Sequence, residues 1–155
     1  MFHLYDVETE DGPVCMIAVL PPETAVEGGL PSPAVVGTVP QGATEITLEN
    51  FTPNPEFSDF LNFVIAKYGV EDPALQEQAK EQGDGWIYMI DLRAGEDEES
   101  VAPEDLLGVF RVEGGQVVPD SYRGNLKHQL LSKRGIFQID EWVHERLVEE
   151  LLALG

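Results

Sequence analysis

The chain has 155 residues, of which 43% are apolar, and its 29 carboxylates against nine Lys and Arg give a formal net charge of −20. This length indicates one globular domain, residues 1–155, with a full hydrophobic core. The single cysteine, Cys15, excludes an intramolecular disulfide and a cysteine zinc cluster. The longest apolar run, residues 14–20, is far shorter than the ~20 residues that cross a bilayer, and the acidic first segment does not resemble a signal peptide. We therefore expect a soluble, cytoplasmic protein.

The first third of the chain predicts β-structure. Asp11-Gly12 is a strong turn signal between two apolar, β-branched segments, so residues 2–8 and 14–20 are expected to form a hairpin. Pro21-Pro22 ends the second strand and begins a loop rich in proline and glycine. Two more short strands are expected over residues 34–39 and 45–50.

Three helices follow from capping residues and apolar spacing. Asn54-Pro55 predicts the start of a helix over 55–68, and Gly69 predicts its end. The apolar residues of this segment recur at helical spacing and lie on one face. Asp72-Pro73 predicts a second, mostly exposed helix that ends at Gly83. Asp140 is the expected cap of a C-terminal helix over 141–153.

The remaining elements predict a second group of strands. Residues 86–92, WIYMIDL, are strongly apolar and are expected to form a central strand, and Gly114-Gly115 predicts the turn of a second hairpin. Residues 136–139 are expected to form a last short strand. Hairpin strands interspersed with three to four helices favour the α+β class, with a single domain and a largely antiparallel sheet.

Residues 121–139 contain no carboxylate, although the chain is very acidic, and they carry four Lys or Arg. The pattern predicts a two-turn helix that begins at Asn125 and ends at Gly135, with Lys133 and Arg134 in its last turn. Arg123, Lys127 and His128 are a candidate anion-binding site. The alternative is that these three residues pair with carboxylates of the same chain, and we favour this structural interpretation.

No sequence pattern for a catalytic, metal or cofactor site is present. There is no phosphate-binding glycine loop, nucleophile elbow or zincin helix, so we expect no cofactor and favour a protein that is not an enzyme. Asp91 ends an apolar strand with Arg93 two residues later on the same face, which is typical of a structural ion pair. Cys15 lies in an apolar segment and is expected to be unreactive.

The charge distribution indicates a class of partner. Residues 1–66 carry ten carboxylates and no Lys or Arg, which disfavours direct contact with nucleic acids or with anionic membranes. We therefore expect a small acidic binding module that contacts another, basic protein, in an inhibitor, immunity or adaptor role. The alternatives are a small enzyme or ligand-binding domain for an anionic substrate at residues 121–139, and an inhibitor that mimics nucleic acid. Halophilic adaptation is a further explanation of the acidity.

Overall fold

A computed structural model describes residues 2–10, 12–20, 31–43, 45–94, 102–132 and 135–154. The chain divides into two compact units: Met1–Phe60 with Leu147–Gly155, and Leu61–Arg146. Within the described ranges, three α-helices are combined with antiparallel sheets, which confirms the predicted α+β class.

The first unit contains an antiparallel sheet of four strands in chain order. The predicted N-terminal hairpin is present as β1 (His3–Thr9) and β2 (Gly12–Ala18), with Thr9 opposite Gly12 at the turn. The next two strands are β3 (Val35–Pro40) and β4 (Thr52–Pro53). The core of this unit includes the fully buried side chains of Ile17 and Val36.

The strand predicted over residues 45–50 is wrong, because this segment forms a turn stabilised by its own side chains. The Thr47 N–H donates to Asn50 Oδ1 at 2.8 Å, and the Asn50 N–H donates to Thr47 Oγ1 at 3.2 Å. The Phe51 N–H then donates to the Thr47 carbonyl. Thr and Asn side chains that bond nearby backbone groups compete with a strand ladder, and here the local bonds prevail.

The three helices begin and end where the capping residues predict. They are α1 (Pro55–Tyr68), α2 (Pro73–Gln82) and α3 (Glu141–Ala153). Asn54, Asp72 and Asp140 each accept a hydrogen bond from a backbone N–H in the first turn of the helix that follows. The apolar stripe of α1 has four buried residues, namely Phe57, Leu61, Val64 and Ile65, and two partly exposed ones, Phe60 and Tyr68. No helix in the described part of the chain is both long and apolar enough to cross a membrane.

The second unit contains a sheet whose central strand is β6. Strand β5 (Gly85–Ile90) pairs with β6 (Leu106–Glu113), which also pairs with β7 (Gln116–Val117) and β8 (Arg123–Gly124). The predicted central position of the apolar strand is therefore wrong, since β5 lies at an edge of this sheet. Its side chains alternate: Ile87 is buried, whereas Trp86 and Tyr88 are exposed.

The helix predicted from Asn125 to Gly135 is also wrong. The described part of this segment forms a turn and two short strands, β9 (Leu131–Ser132) and β10 (Gly135–Ile136). Asn125 directs its amide nitrogen to the carbonyls of Pro103 and Leu106, both at 2.7 Å. A helix would need the carbonyls of residues 129 and 130 for its own bonds, but both accept from another side chain, described below. Lys133 and Arg134 lie outside the described residues.

Asp72 gives a pH-dependent prediction for this unit. The side chain is buried, and burial, followed by the nearby Asp140 carboxylate, raises the pKa of Asp72 above its usual value. Ionisation of Asp72 therefore costs more free energy in the folded state than in the unfolded state. This penalty applies above the folded pKa and disappears below the unfolded pKa of about 3.9.

We predict that Asp72→Asn raises the free energy of unfolding at pH 7 by about 0.5–2 kcal/mol, because Asn keeps the capping oxygen without the charge. The gain should vanish near pH 3. Urea unfolding of the variant and of the unsubstituted protein at pH 7 and at pH 3 measures the gain at each pH. Glu77→Gln, on an exposed position of the same helix, is the control and should change little. No gain at pH 7, or an equal gain at pH 3, would contradict this account of Asp72.

Candidate functional site

The second unit contains a buried polar network centred on the side chain of Arg93, which is 1% exposed. The Arg93 Nε–H donates to Asp105 Oδ1 at 2.8 Å, and the carboxylate of Asp91 lies 3.5 Å away. The four remaining guanidinium N–H groups donate to backbone carbonyls, those of Glu104, Gln129, Leu130 and Gly135. All five donors of the guanidinium are therefore occupied by this chain.

Both oxygens of the Asp91 carboxylate also have partners within the chain. Asp91 Oδ1 accepts from the backbone N–H groups of Arg93 and Gln138, at 3.1 and 2.8 Å. His128 Nε2 lies 3.0 Å from Asp91 Oδ2, and since an ionised carboxylate only accepts, the imidazole donates there. On the other side of Arg93, Asp105 Oδ1 also accepts from Ser132 Oγ at 3.2 Å. The predicted pair of Asp91 and Arg93 is thus one edge of a larger network.

The three candidate anion-binding residues have different surroundings. His128, with a side chain that is 8% exposed, contacts Asp91. Arg123 lies in β8 and Lys127 in the turn after it, and both are exposed. Neither of these two side chains forms an ion pair with any residue that the structure describes. Anion binding by Arg123, Lys127 and His128 stays a prediction, and it would require His128 to serve Asp91 and the anion together.

An open cleft of about 620 Å³ runs along β5 in the same unit. Its lining comes from α2, from β5, from the first residue of β6 and from the segments before β6 and after β8. The lining residues are Gln78, Gln82, Trp86, Ile87, Tyr88, Ile90, Ala102, Pro103, Leu106 and Asn125. The side chains of Trp86 and Tyr88 are 40% and 59% exposed. Sequence reasoning missed this surface because it placed the strand at the centre of the sheet. The alternation of the two aromatic residues with aliphatic ones was the available signal.

Other candidate groups are less suited to a binding or catalytic role. Burial, followed by the Asp6 carboxylate, raises the pKa of the Cys15 thiol, which fits the expectation of an unreactive cysteine. Burial also raises the pKa of Tyr122, whose hydroxyl donates to Asn62 Oδ1 at 2.6 Å. Among the described residues, no group of three or more His, Cys, Asp and Glu side chains is placed to hold a metal ion.

Comparison of the chain with protein-family models, with curated proteins and with solved structures finds no match. Function must therefore be inferred from the geometry of this chain. Two features are available: the Arg93 network, whose guanidinium donors are all occupied, and the β5 cleft, which is open to solvent and lined by exposed aromatic rings.

We predict that Arg93→Met is strongly destabilising. The change leaves two buried carboxylates without their cation and four backbone carbonyls without their donors, so the free energy of unfolding should fall by about 3–5 kcal/mol. The matched control is Arg111→Met, because Arg111 pairs with Glu113 at 2.8 Å with both side chains exposed. That exposed pair should contribute no more than about 1 kcal/mol. Equal losses in the two variants, measured by urea unfolding, would contradict the central role of Arg93.

Proposed function

We propose that this chain is a small protein-binding module that contacts a basic protein through the β5 surface, defined as Trp86, Tyr88 and the cleft beside them. The observation that carries the proposal is the exposure of these two rings next to the cleft. Aromatic residues are enriched in protein interfaces and dominate their binding energy. An inhibitor, immunity or adaptor role in the cytoplasm fits such a surface.

The charge of the chain supports a basic partner. Residues 67–120, which contain β5 and α2, carry fourteen carboxylates and four Lys or Arg. One of those four, Arg93, is buried among its own partners, and another, Arg111, is paired with Glu113. The resulting negative field attracts cationic proteins and repels phosphate backbones and anionic lipids. Direct nucleic-acid or membrane binding is therefore no part of the proposal.

Site-specific photo-crosslinking tests the proposal. We expect a benzoylphenylalanine placed at Tyr88 to capture one dominant basic protein in cells of the source organism. The same group at Phe63 is the matched control, since Phe63 is an aromatic residue of the same unit, is 50% exposed and does not line the cleft.

The captured protein is then purified and its affinity measured directly. Trp86→Ala with Tyr88→Ala should weaken binding at least tenfold, as expected for interface aromatic residues, whereas Phe63→Ala should not. Affinity should also fall as salt is raised, because the attraction is partly electrostatic. Equal crosslinking at both positions, or full affinity in the double variant, would overturn the proposal.

A further inference from the structure

No described strand pairs with β5 on the side opposite β6, and the hydrogen bonds of β6 show which backbone groups of β5 face that side. The Arg111 N–H donates to Ser121 Oγ at 3.0 Å, and the Arg111 carbonyl accepts from the Val118 N–H at 2.9 Å, so both turn away from β5. Arg111 lies opposite Trp86, so these two residues form a pair without hydrogen bonds between them. In antiparallel strands, such pairs alternate with hydrogen-bonded pairs. The N–H and C=O groups of Trp86 and Tyr88 therefore face away from β6, toward the open edge.

These edge groups are largely unpaired among the residues that the structure describes. Gln82 Nε2 donates to the Trp86 carbonyl at 3.0 Å, but neither N–H group of Trp86 or Tyr88 has a described partner, nor does the Tyr88 carbonyl. Proteins usually protect an edge strand with charged residues or proline. Strand β5 has the sequence GWIYMI and contains neither.

We infer that the edge of β5 accepts an extended basic segment of the partner as an additional strand. The inference rests on the proposed function and names the mode of binding. Backbone bonds to Trp86 and Tyr88 would provide the ladder, and alternate side chains of the added strand would enter the cleft beside Gln78 and Pro103. The β5 surface would therefore recognise a peptide in the extended conformation, and its specificity would depend on every second side chain of that peptide.

Charge identifies the segment as one rich in Lys or Arg. The acidic residues closest in sequence to the cleft-lining Gln78 and Gln82 are Glu77, Glu81 and Asp84, and all three are exposed. Cationic side chains on the added strand that point away from the cleft would be attracted by the negative field of these carboxylates. A second copy of this chain is a poor occupant, because it would bring a formal charge of −20 against another −20.

Amide hydrogen exchange of the 15N-labelled protein tests the inference, with the capped peptide KVKVKVKVK as the probe. We expect this peptide to slow exchange at Trp86 and Tyr88 at least tenfold. Exchange at Ile87 and Met89 should change little, because their N–H groups already donate to β6. The peptide KPKPKPKPK has the same charge but cannot form a ladder, and EVEVEVEVE has the opposite charge, so neither should protect these amides.

A pair of variants separates the backbone from the ring. Tyr88→Pro removes an outward N–H, which an edge strand tolerates, and should weaken binding of KVKVKVKVK at least tenfold relative to Tyr88→Ala. Protection of both amides in the free protein would overturn the inference by indicating that the chain covers its own edge. Peptide-induced dimerisation with protected edges would assign the edge to a second copy. Crosslinking at position 88 without any protection by KVKVKVKVK would overturn the added strand and leave the proposed function standing.

Discussion

The buried guanidinium of Arg93 is the constraint on which the second unit depends. A charged group taken out of water is costly unless every donor is bonded, and Arg93 meets that requirement with one carboxylate and four carbonyls. Those acceptors come from residues 104–105, 129–130 and 135, so one side chain fixes three segments at the end of β5. The acid-free stretch therefore contributes carbonyl oxygens here, and the acids that balance Arg93 come from elsewhere in the chain.

This arrangement separates the interior polar chemistry from the exposed surface. Asp91 and the guanidinium donors are occupied within the chain, which leaves them little capacity for a ligand. Strand β5, which ends at this network, has the opposite character: it exposes two aromatic rings and outward backbone groups beside a cleft. Among the described residues, a closed polar network therefore lies next to a strand edge with few bonded groups, which fits the protein-binding module proposed above.

Local signals predicted much of the fold. One error was also local, since bonds between Thr47 and Asn50 replace the strand predicted over residues 45–50, whereas two other errors arose from nonlocal contacts. The caps Asn54, Asp72 and Asp140 and the turn at Gly114-Gly115 act within a few residues, so the sequence predicted those helices and that hairpin. The central position of β5 could not be judged from its apolarity, since the neighbours of a strand are set by distant segments. Likewise, the predicted helix after Asn125 failed because its carbonyls bond to a side chain more than thirty residues earlier. The contact of His128 with Asp91, across 37 residues, had no local signal either.

The most direct test of this account is the NMR spectrum of the arginine side chains of the free protein, with and without sulfate. A guanidinium bonded at all five positions should give separate, slowly exchanging Nη proton signals, and the account predicts such signals for Arg93 with no response to sulfate. Exposed Arg111 and Arg123 should give averaged signals. Averaged Nη signals from Arg93, or signals that move when sulfate is added, would contradict the central role of its buried network.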